Sequence, residues 1–281
     1  MYIRTIVEDT LDKNYQFLKN EHGLSLYIKY NNKNILFDSG PSDVLIHNSK
    51  KLNINLESID YLVLSHGHFD HGGGILPFLK VNKKAKIYMQ KNCFENYYFE
   101  GNEEKEYIGL NPEILENYSD RIVFTDNSLF QISNDIFLVP TIKLEKNITY
   151  NNTAMLINKN SNIFEQDYFE HEQVMIIKNN NKLYLFSGCS HKGIINIVNN
   201  IKKIFNVDKI DFLIGGLHLV DDPIKLTPIN NIELYEVAKY INENVSKTYC
   251  CHCTGDPAYN YLKGTLNNRI EYIRTGTKIS L

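Results

Sequence analysis

The chain has 281 residues, a formal net charge of −3 at pH 7, and 43% hydrophobic and 22% charged residues. These values exclude a disordered chain and disfavour a nucleic-acid binder, which would carry a basic excess. Neither a membrane span nor a secretory leader is visible, and three of the five cysteines crowd into residues 250–253, so we expect a soluble cytoplasmic protein without a disulfide framework.

The first third of the chain is predicted to alternate strands with helices. Apolar runs bounded by turn residues indicate strands, and a 3.6-residue apolar period indicates helices. The strand expected at residues 59–64 runs directly into His66, which places that histidine at a strand end. The other elements expected here are strands at 3–7, 24–30, 34–37 and 85–89, a helix at 44–52 and an amphipathic stretch at 75–79.

The rest of the chain continues the alternation after a less regular middle part. Residues 95–120, rich in Tyr, Glu and Asn, are interpreted as an inserted, partly helical lobe, and residues 143–172 as a mobile flap. The pattern predicts one α/β domain spanning residues 1–281. Further strands are expected at 121–124, 136–139, 174–177, 183–186, 210–214 and 247–250, with helices at 192–205 and 230–244.

The segment His66-Gly67-His68-Phe69-Asp70-His71 carries the strongest chemical signal. In extended backbone, side chains two residues apart point to the same side, so His66 and His68 can converge on one metal ion. Asp70 and His71 follow where the chain turns, and their different direction suits a second ion. Imidazole and carboxylate are ligands of zinc, iron and manganese. A set of surface histidines is the alternative, but the preceding buried strand favours metal binding.

This motif resembles the signature of the metallo-β-lactamase superfamily, and residues 35–40 resemble the strand and Asp-x-Gly turn that precede it there. The resemblance implies a four-layer αββα sandwich with a dinuclear metal site. Residues 187–194 (SGCSHKGI), 214–219 (IGGLHL) and 251–255 (CHCTG) are similar to motifs of a narrower branch, the dihydropterin–ribofuranosylaminobenzene phosphate synthases. These motifs are specific for the fold and much less specific for the substrate.

The resemblance assigns roles residue by residue. His66 and His68 match the histidines of the first metal ion, and Asp70 and His71 match ligands of the second. His252 matches the histidine that completes the second site.

The remaining ligands are less well defined. Cys189 stands where many relatives have a bridging aspartate, and as a thiolate it could bind the second ion or bridge the pair. The usual third histidine of the first ion has no clear counterpart. We prefer His191 for this position, with His171, in the predicted flap, as the alternative.

Other candidate residues have competing interpretations. His218, after two glycines, is expected to face the site as a substrate contact or proton donor, or else to be a hydrogen-bonded histidine at a strand end. A structural zinc site of Cys250, Cys251 and Cys253 is disfavoured, because ligands so close in sequence lack the usual spacer. His22 has no evident partner.

The predicted function is hydrolysis of an ester, a phosphoester or a lactone by hydroxide activated at two divalent metal ions, with zinc preferred over iron or manganese. Asp70 would orient the nucleophile and accept its proton, and His218 would protonate the leaving group. The expected partner is a small molecule that could be phosphorylated or pterin-like, rather than a nucleic acid or a membrane, and the chain could form a homodimer. A ligand-sensing module with little activity and an iron-loaded redox protein are the alternatives.

The aromatic residues of the inserted lobe also have two interpretations. Tyr97, Tyr98, Phe99 and Tyr107 could stack on a ring of the substrate. They could equally form a local hydrophobic cluster.

Overall fold

The computed structural model describes residues 1–101, 104–141, 152–160, 163–222 and 227–281. The strands, in chain order, are β1 (Tyr2–Val7), β2 (Ser25–Tyr30), β3 (Lys33–Phe37), β4 (Tyr61–Val63), β5 (Lys86–Gln90), β6 (Asn96–Glu100), β7 (Lys105–Tyr107), β8 (Ile122–Thr125), β9 (Phe130–Ser133), β10 (Ile136–Pro140), β11 (Met155–Asn160), β12 (Ile163–Gln166), β13 (Gln173–Asn179), β14 (Lys182–Ser187), β15 (Ile210–Gly216), β16 (Val220–Asp222), β17 (Thr227–Pro228), β18 (Val245–Cys251), β19 (Ile270–Tyr272) and β20 (Lys278–Ser280). The α-helices are α1 (Val44–Lys51), α2 (Phe69–Gly72), α3 (Ile75–Val81), α4 (Glu113–Tyr118), α5 (Ile194–Phe205), α6 (Asn231–Asn244) and α7 (Asp256–Leu266).

The first compact unit consists of Met1–Thr125, Ala154–Asp167 and Ile273–Leu281. Its seven-stranded sheet has the order β20-β1-β2-β3-β4-β5-β8, in which β3, β4, β5 and β8 are parallel. Helices α1 and α3 pack on this sheet through buried apolar side chains such as Leu45 and Phe78. A four-stranded sheet of order β12-β11-β6-β7 belongs to the same unit.

The second compact unit consists of Asp126–Thr153 and Tyr168–Tyr272. Its seven-stranded sheet has the order β19-β18-β15-β14-β13-β10-β9, in which β14, β15, β18 and β19 are parallel. Apolar residues of α5, α6 and α7, such as Ile197, Val237 and Leu262, pack against Leu185 and Leu213 of the sheet. Because parallel strands end at the same edge, the loops after β14, β15 and β18 lie together there.

Every strand and helix expected from apolar periodicity is present within a few residues of its predicted bounds. The turn at Asn31 and Asn32 has positive φ at both positions (45° and 60°), as a tight two-residue hairpin between β2 and β3 requires. The strands of the four-stranded sheet were not predicted. β7, for example, is exposed at every residue and therefore has no apolar alternation.

The residues of the predicted lobe at 95–120 contain β6, β7 and α4, and the lobe itself stays a prediction. Of the predicted flap, residues 143–151 and 161–162 lie outside the described residues, whereas β11 and β12 lie in its described part. The single domain and the mobile flap stay predictions. No helix in the described ranges combines the length and apolar character needed to cross a bilayer.

Asn82, at the end of α3, holds together the segments that precede β4 and β5. Its buried side-chain amide donates to the carbonyl oxygens of Leu56 (2.8 Å) and Ile59 (3.0 Å), and its Oδ1 accepts from the backbone N–H of Ala85 (2.7 Å). Both hydrogen-bonding ends of one buried side chain are thus satisfied by backbone. This anchors β4, the strand that runs into His66.

We expect Asn82→Ala to lower the free energy of unfolding by at least about 2 kcal/mol, because several buried backbone groups lose their partner at once. Urea denaturation monitored by circular dichroism measures the change. The matched control is Asn117→Ala on exposed α4, for which we expect a change within about 0.5 kcal/mol. Equal effects of the two substitutions would contradict the anchoring role of Asn82.

Candidate metal centre

In the first unit, the loop after β4 gathers the residues that the motif singled out. The ligand atoms of His66, His68 and Asp70 all lie within 4.8 Å of one another, and the three residues are buried. Asp70 also contacts His71, with 3.4 Å between Oδ2 and Nε2. We call these four residues the histidine–aspartate cluster. A buried group of imidazoles and a carboxylate has the donor chemistry of a site for zinc or a similar ion.

Local backbone explains this convergence. His68 is extended (φ −92°, ψ 149°) and immediately precedes α2, so Asp70 and His71 leave the chain from a helical turn and not from a strand. Gly67 passes so close to Cys93 that an added β-carbon would lie 2.5 Å from the Cys93 carbonyl oxygen. Only glycine therefore allows the chain to fold so tightly between the two histidines.

Asp38, at the end of β3, organises the cluster from behind. Its Oδ2 lies 2.7 Å from Nδ1 of His71, and the carboxylate accepts both the backbone N–H (2.7 Å) and the hydroxyl (2.8 Å) of Ser65. The Ser65 Oγ is in turn 2.9 Å from Nδ1 of His66. With both Nδ1 atoms engaged, the Nε2 atoms of His66 and His71 are the ones presented to an ion. The Asp-x-Gly turn is visible in the sequence, but no pattern there predicts a role for Asp38.

His71 is completely buried, and burial by itself would lower the pKa of its imidazole. The carboxylates of Asp70 and Asp38, one on each ring nitrogen, outweigh burial and raise the pKa from 6.5 to about 9. A divalent cation would compete with this proton for Nε2, so metal binding near neutral pH should release it.

Two further residues of the first unit approach the cluster without having been predicted. Asp167 is buried, and its Oδ2 lies 3.9 Å from Nε2 of His68. His22 lies between two carboxylates, with Nδ1 3.2 Å from Asp9 and Nε2 3.7 Å from Asp70. No local motif marks either residue, because both come from segments distant in sequence from residues 66–71.

In the second unit, the other predicted site residues occupy the loops after parallel strands. Cys189 and His191 follow β14, His218 follows β15 and His252 follows β18. We call residues 188–193, 217–219 and 252–255 the strand-end loops. The rings of His191 and His218 are 4.3 Å apart between centroids. The structure thus places these predicted residues at one edge of one sheet.

His191 is held on several sides. Its ring stacks on Phe169 at 4.3 Å with an interplanar angle of 5°, and its Nδ1 lies 3.2 Å from Oδ1 of Asn152. Its backbone N–H donates to the buried carboxylate of Glu172 (2.7 Å). Burial raises the pKa of Glu172, although Lys192 and the backbone N–H groups of residues 191 and 192 oppose the rise. His171, the alternative ligand, is also buried and lies 5.8 Å from Phe169 between ring centroids.

Cys253 is a functional candidate that the sequence did not reveal. Its Sγ accepts the backbone N–H of His218 (3.3 Å). Burial by itself would raise the pKa of this thiol, but hydrogen bonds with Cys189 and His218 and the charge of His252 lower it well below its ordinary value. Among the described residues, no close group of ligand atoms includes Cys250, Cys251 or Cys253.

The predicted aromatic residues mostly contact one another in the four-stranded sheet. Tyr98 meets Tyr107 (5.4 Å) and Phe164 (5.1 Å) edge-on, the distances being between ring centroids. Tyr97 is almost fully buried and lies 5.8 Å from His68. A local aromatic cluster accounts for these contacts, and stacking on a substrate stays a prediction.

The metallo-β-lactamase superfamily model matches residues 19–154, a range that includes the histidine–aspartate cluster. A protein of Methanocaldococcus jannaschii named 7,8-dihydropterin-6-methyl-4-(β-D-ribofuranosyl)-aminobenzene-5′-phosphate synthase is 31% identical, over 98% of this chain and 94% of that protein. A metal-dependent hydrolase of Staphylococcus aureus is 40% identical over 69 residues, which are 24% of this chain and 28% of the relative.

The structure is similar to the crystal structure of Tm1679, described as a metal-dependent hydrolase of the β-lactamase superfamily. The TM-score is 0.84 at 27% sequence identity, and the match covers 100% of this chain and 99% of the other. This likeness confirms the predicted α/β fold class.

We expect the metal-free protein to lose stability as the pH rises from about 6.5 to about 9, relative to the variant His71→Gln. The folded state binds the His71 proton more tightly than the unfolded chain does. Its stabilising effect is therefore complete below the unfolded pKa and is lost as the pH passes the folded pKa. Urea denaturation of both proteins in a chelator, from pH 6 to 9.5, measures the difference. Parallel pH profiles would show that His71 is not the group responsible.

Proposed function

Since the chain belongs to the metallo-β-lactamase superfamily, we propose that it is a metal-dependent hydrolase that cleaves an ester, a phosphoester or a lactone. The observation that carries the proposal is the buried convergence of His66, His68 and Asp70 within 4.8 Å, backed by the Asp38 carboxylate. Burying so many ionisable groups together costs free energy. A purely structural role would not require these groups to be buried together, whereas the binding of a cation would offset the free energy that their burial costs.

The proposed cofactor is a pair of divalent ions, with zinc preferred over iron or manganese. We propose that metal binding engages Cys189, His191 and His252 in addition to the histidine–aspartate cluster. The support is the position of these residues in the strand-end loops and a donor set of thiolate, imidazole and carboxylate, which suits zinc and iron. When bound, such ions activate water near neutral pH and polarise the substrate oxygen under attack.

The chain's own acid–base groups have separate proposed roles. Asp70 Oδ2 would receive the proton of the attacking water. The exposed side chain of His22 approaches the same oxygen. His218 is partly exposed, and its backbone is fixed by the bond to Cys253, so its ring would protonate the leaving group.

The proposed substrate class is a small phosphorylated or pterin-like molecule, rather than a nucleic acid or a membrane. The support is the name of the M. jannaschii relative, a dihydropterin–ribofuranosylaminobenzene phosphate synthase, and the match to it over nearly the whole chain. If the chain catalyses a synthase reaction as the name of that relative suggests, a condensation is the second candidate reaction. A cytoplasmic location is proposed because the five cysteines, all in the described ranges, form no disulfide.

Turnover tests the hydrolase proposal directly. We expect protein loaded with zinc, manganese or anaerobic iron to hydrolyse bis-p-nitrophenyl phosphate or a simple lactone, and chelation to abolish the activity. The variant His68→Ala should lose metal and lower kcat/KM by at least about 100-fold, more than loss of a residue behind a ligand would. His47→Ala, on α1 outside the cluster, is the matched control. Tight metal binding without turnover of any ester would favour a ligand-sensing module instead.

A second measurement concerns Asp38. We expect Asp38→Asn to weaken zinc binding by about 10- to 100-fold, because the amide orients the His71 imidazole less well than a carboxylate does. Competition with a chromogenic chelator gives the dissociation constant. Asp120→Asn, an exposed position, provides the comparison of equal charge change. An affinity equal to that of the unmodified protein would remove Asp38 from the metal site.

A further inference from the structure

Gly216, the last residue of β15, creates a gap between the two strands that flank β15. A β-carbon placed on Gly216 would lie 2.5 Å from Sγ of Cys253 and 3.4 Å from Cα of Cys189. β14 and β18 are otherwise separated by two inter-strand spacings of about 4.8 Å each. The missing side chain therefore lets residues from the ends of β14 and β18 meet above β15.

The residues that meet there are two thiols. The Cys253 thiol donates to the carbonyl oxygen of Cys189, with 3.5 Å between Sγ and that oxygen. Cys189 is buried, whereas Cys253 is partly exposed and can be reached by a small reagent. A disulfide can form only between two cysteines that neighbouring segments bring close together, with their Cα atoms no more than about 7 Å apart.

The remaining cysteines are placed differently. Cys250 and Cys251 are both completely buried in the second unit, and the Sγ of Cys250 lies 3.6 Å from the carbonyl oxygen of Glu271. Cys93 is completely buried in the first unit, and burial raises the pKa of its thiol, which makes it unreactive. Reactivity toward an oxidant should therefore concentrate on Cys253.

We propose that Cys189 and Cys253 form a reversible oxidation site, which a peroxide converts into a disulfide. Cys253 sulfur attacks one peroxide oxygen and becomes a sulfenic acid, and the other oxygen leaves as water (or an alcohol). The Cys189 thiol then attacks that sulfur, the S–O bond breaks, and a second water leaves as the S–S bond forms. Two thiols lose two electrons and two protons, and the peroxide is reduced.

This site has a consequence for metal binding, and that part rests on the proposed function. Cys189 cannot be both half of a disulfide and a thiolate ligand. Oxidation would therefore remove one ligand and weaken metal binding, and a bound ion would in turn shield Cys189 from oxidation.

The test is to treat the full-length metal-free protein with hydrogen peroxide. We expect the thiol count of the denatured protein to fall from five to three and dithiothreitol to restore it. Peptide mass mapping should find Cys189 joined to Cys253. Cys253→Ser and Cys189→Ser should both abolish the cross-link, and the neighbouring Cys251→Ser should retain it. A cross-link within residues 250–253, or irreversible oxidation of Cys253 without any cross-link, would overturn the proposal.

A second arm compares the zinc affinity of the oxidised and reduced proteins, for which we expect at least a tenfold weakening on oxidation. If the disulfide forms and zinc affinity is unchanged, the oxidation site stands, but its effect on metal fails together with Cys189 as a ligand. If no disulfide forms while Cys189→Ala loses zinc, the oxidation site fails and the proposed ligand set stands.

Discussion

The site of the first unit depends on the hydrogen bonds that the buried carboxylate of Asp38 makes. A carboxylate with no exposure to water is stable only if its oxygens are fully engaged. Asp38 satisfies this condition with the Ser65 backbone and hydroxyl and with the His71 ring. One side chain therefore ties the end of β3 to both sides of the motif. The positive φ of Asp38 (57°) is a conformation that the same contacts hold in place.

In the second unit, backbone conformations are likewise held in place by local contacts. Each strand-end loop contains a non-glycine residue in the left-handed region. The φ values are 66° at Ser190, 48° at His218 and 50° at His252. Such conformations cost on the order of 1 kcal/mol or more each and persist only where surrounding contacts enforce them. For Ser190, the contact is the hydrogen bond from Oγ to the Gly216 carbonyl oxygen (2.7 Å). A left-handed residue at the end of a parallel strand points its side chain in a direction that an ordinary turn would not allow.

The parts that could be predicted from sequence are those whose cause is local. Strand β4 running into His66, and the turn at Asn31, depend on apolar periodicity and on turn chemistry within a few residues. The supporting residues Asp167, Glu172 and Asn152 could not be found in this way. Their roles arise from contacts with His68 or His191 that cross 19 or more positions in the chain. The strands of the four-stranded sheet were not predicted for a related reason. They are held in place by pairing with one another, and their own side chains do not show the apolar alternation that indicates a strand.

The same distinction explains why metal chemistry is easier to infer here than the substrate. A ligand set is encoded by residue type and short spacing at strand ends, which is what the motif at 66–71 displays. Substrate choice depends on side chains brought together by folding, and in this chain the half-exposed aromatic residues Tyr98, Tyr107 and Phe164 are grouped on a small separate sheet. Relatives can keep the ligand set and change the side chains that select the substrate. A shared superfamily therefore constrains the reaction, and the residues outside the motifs decide the molecule on which it acts.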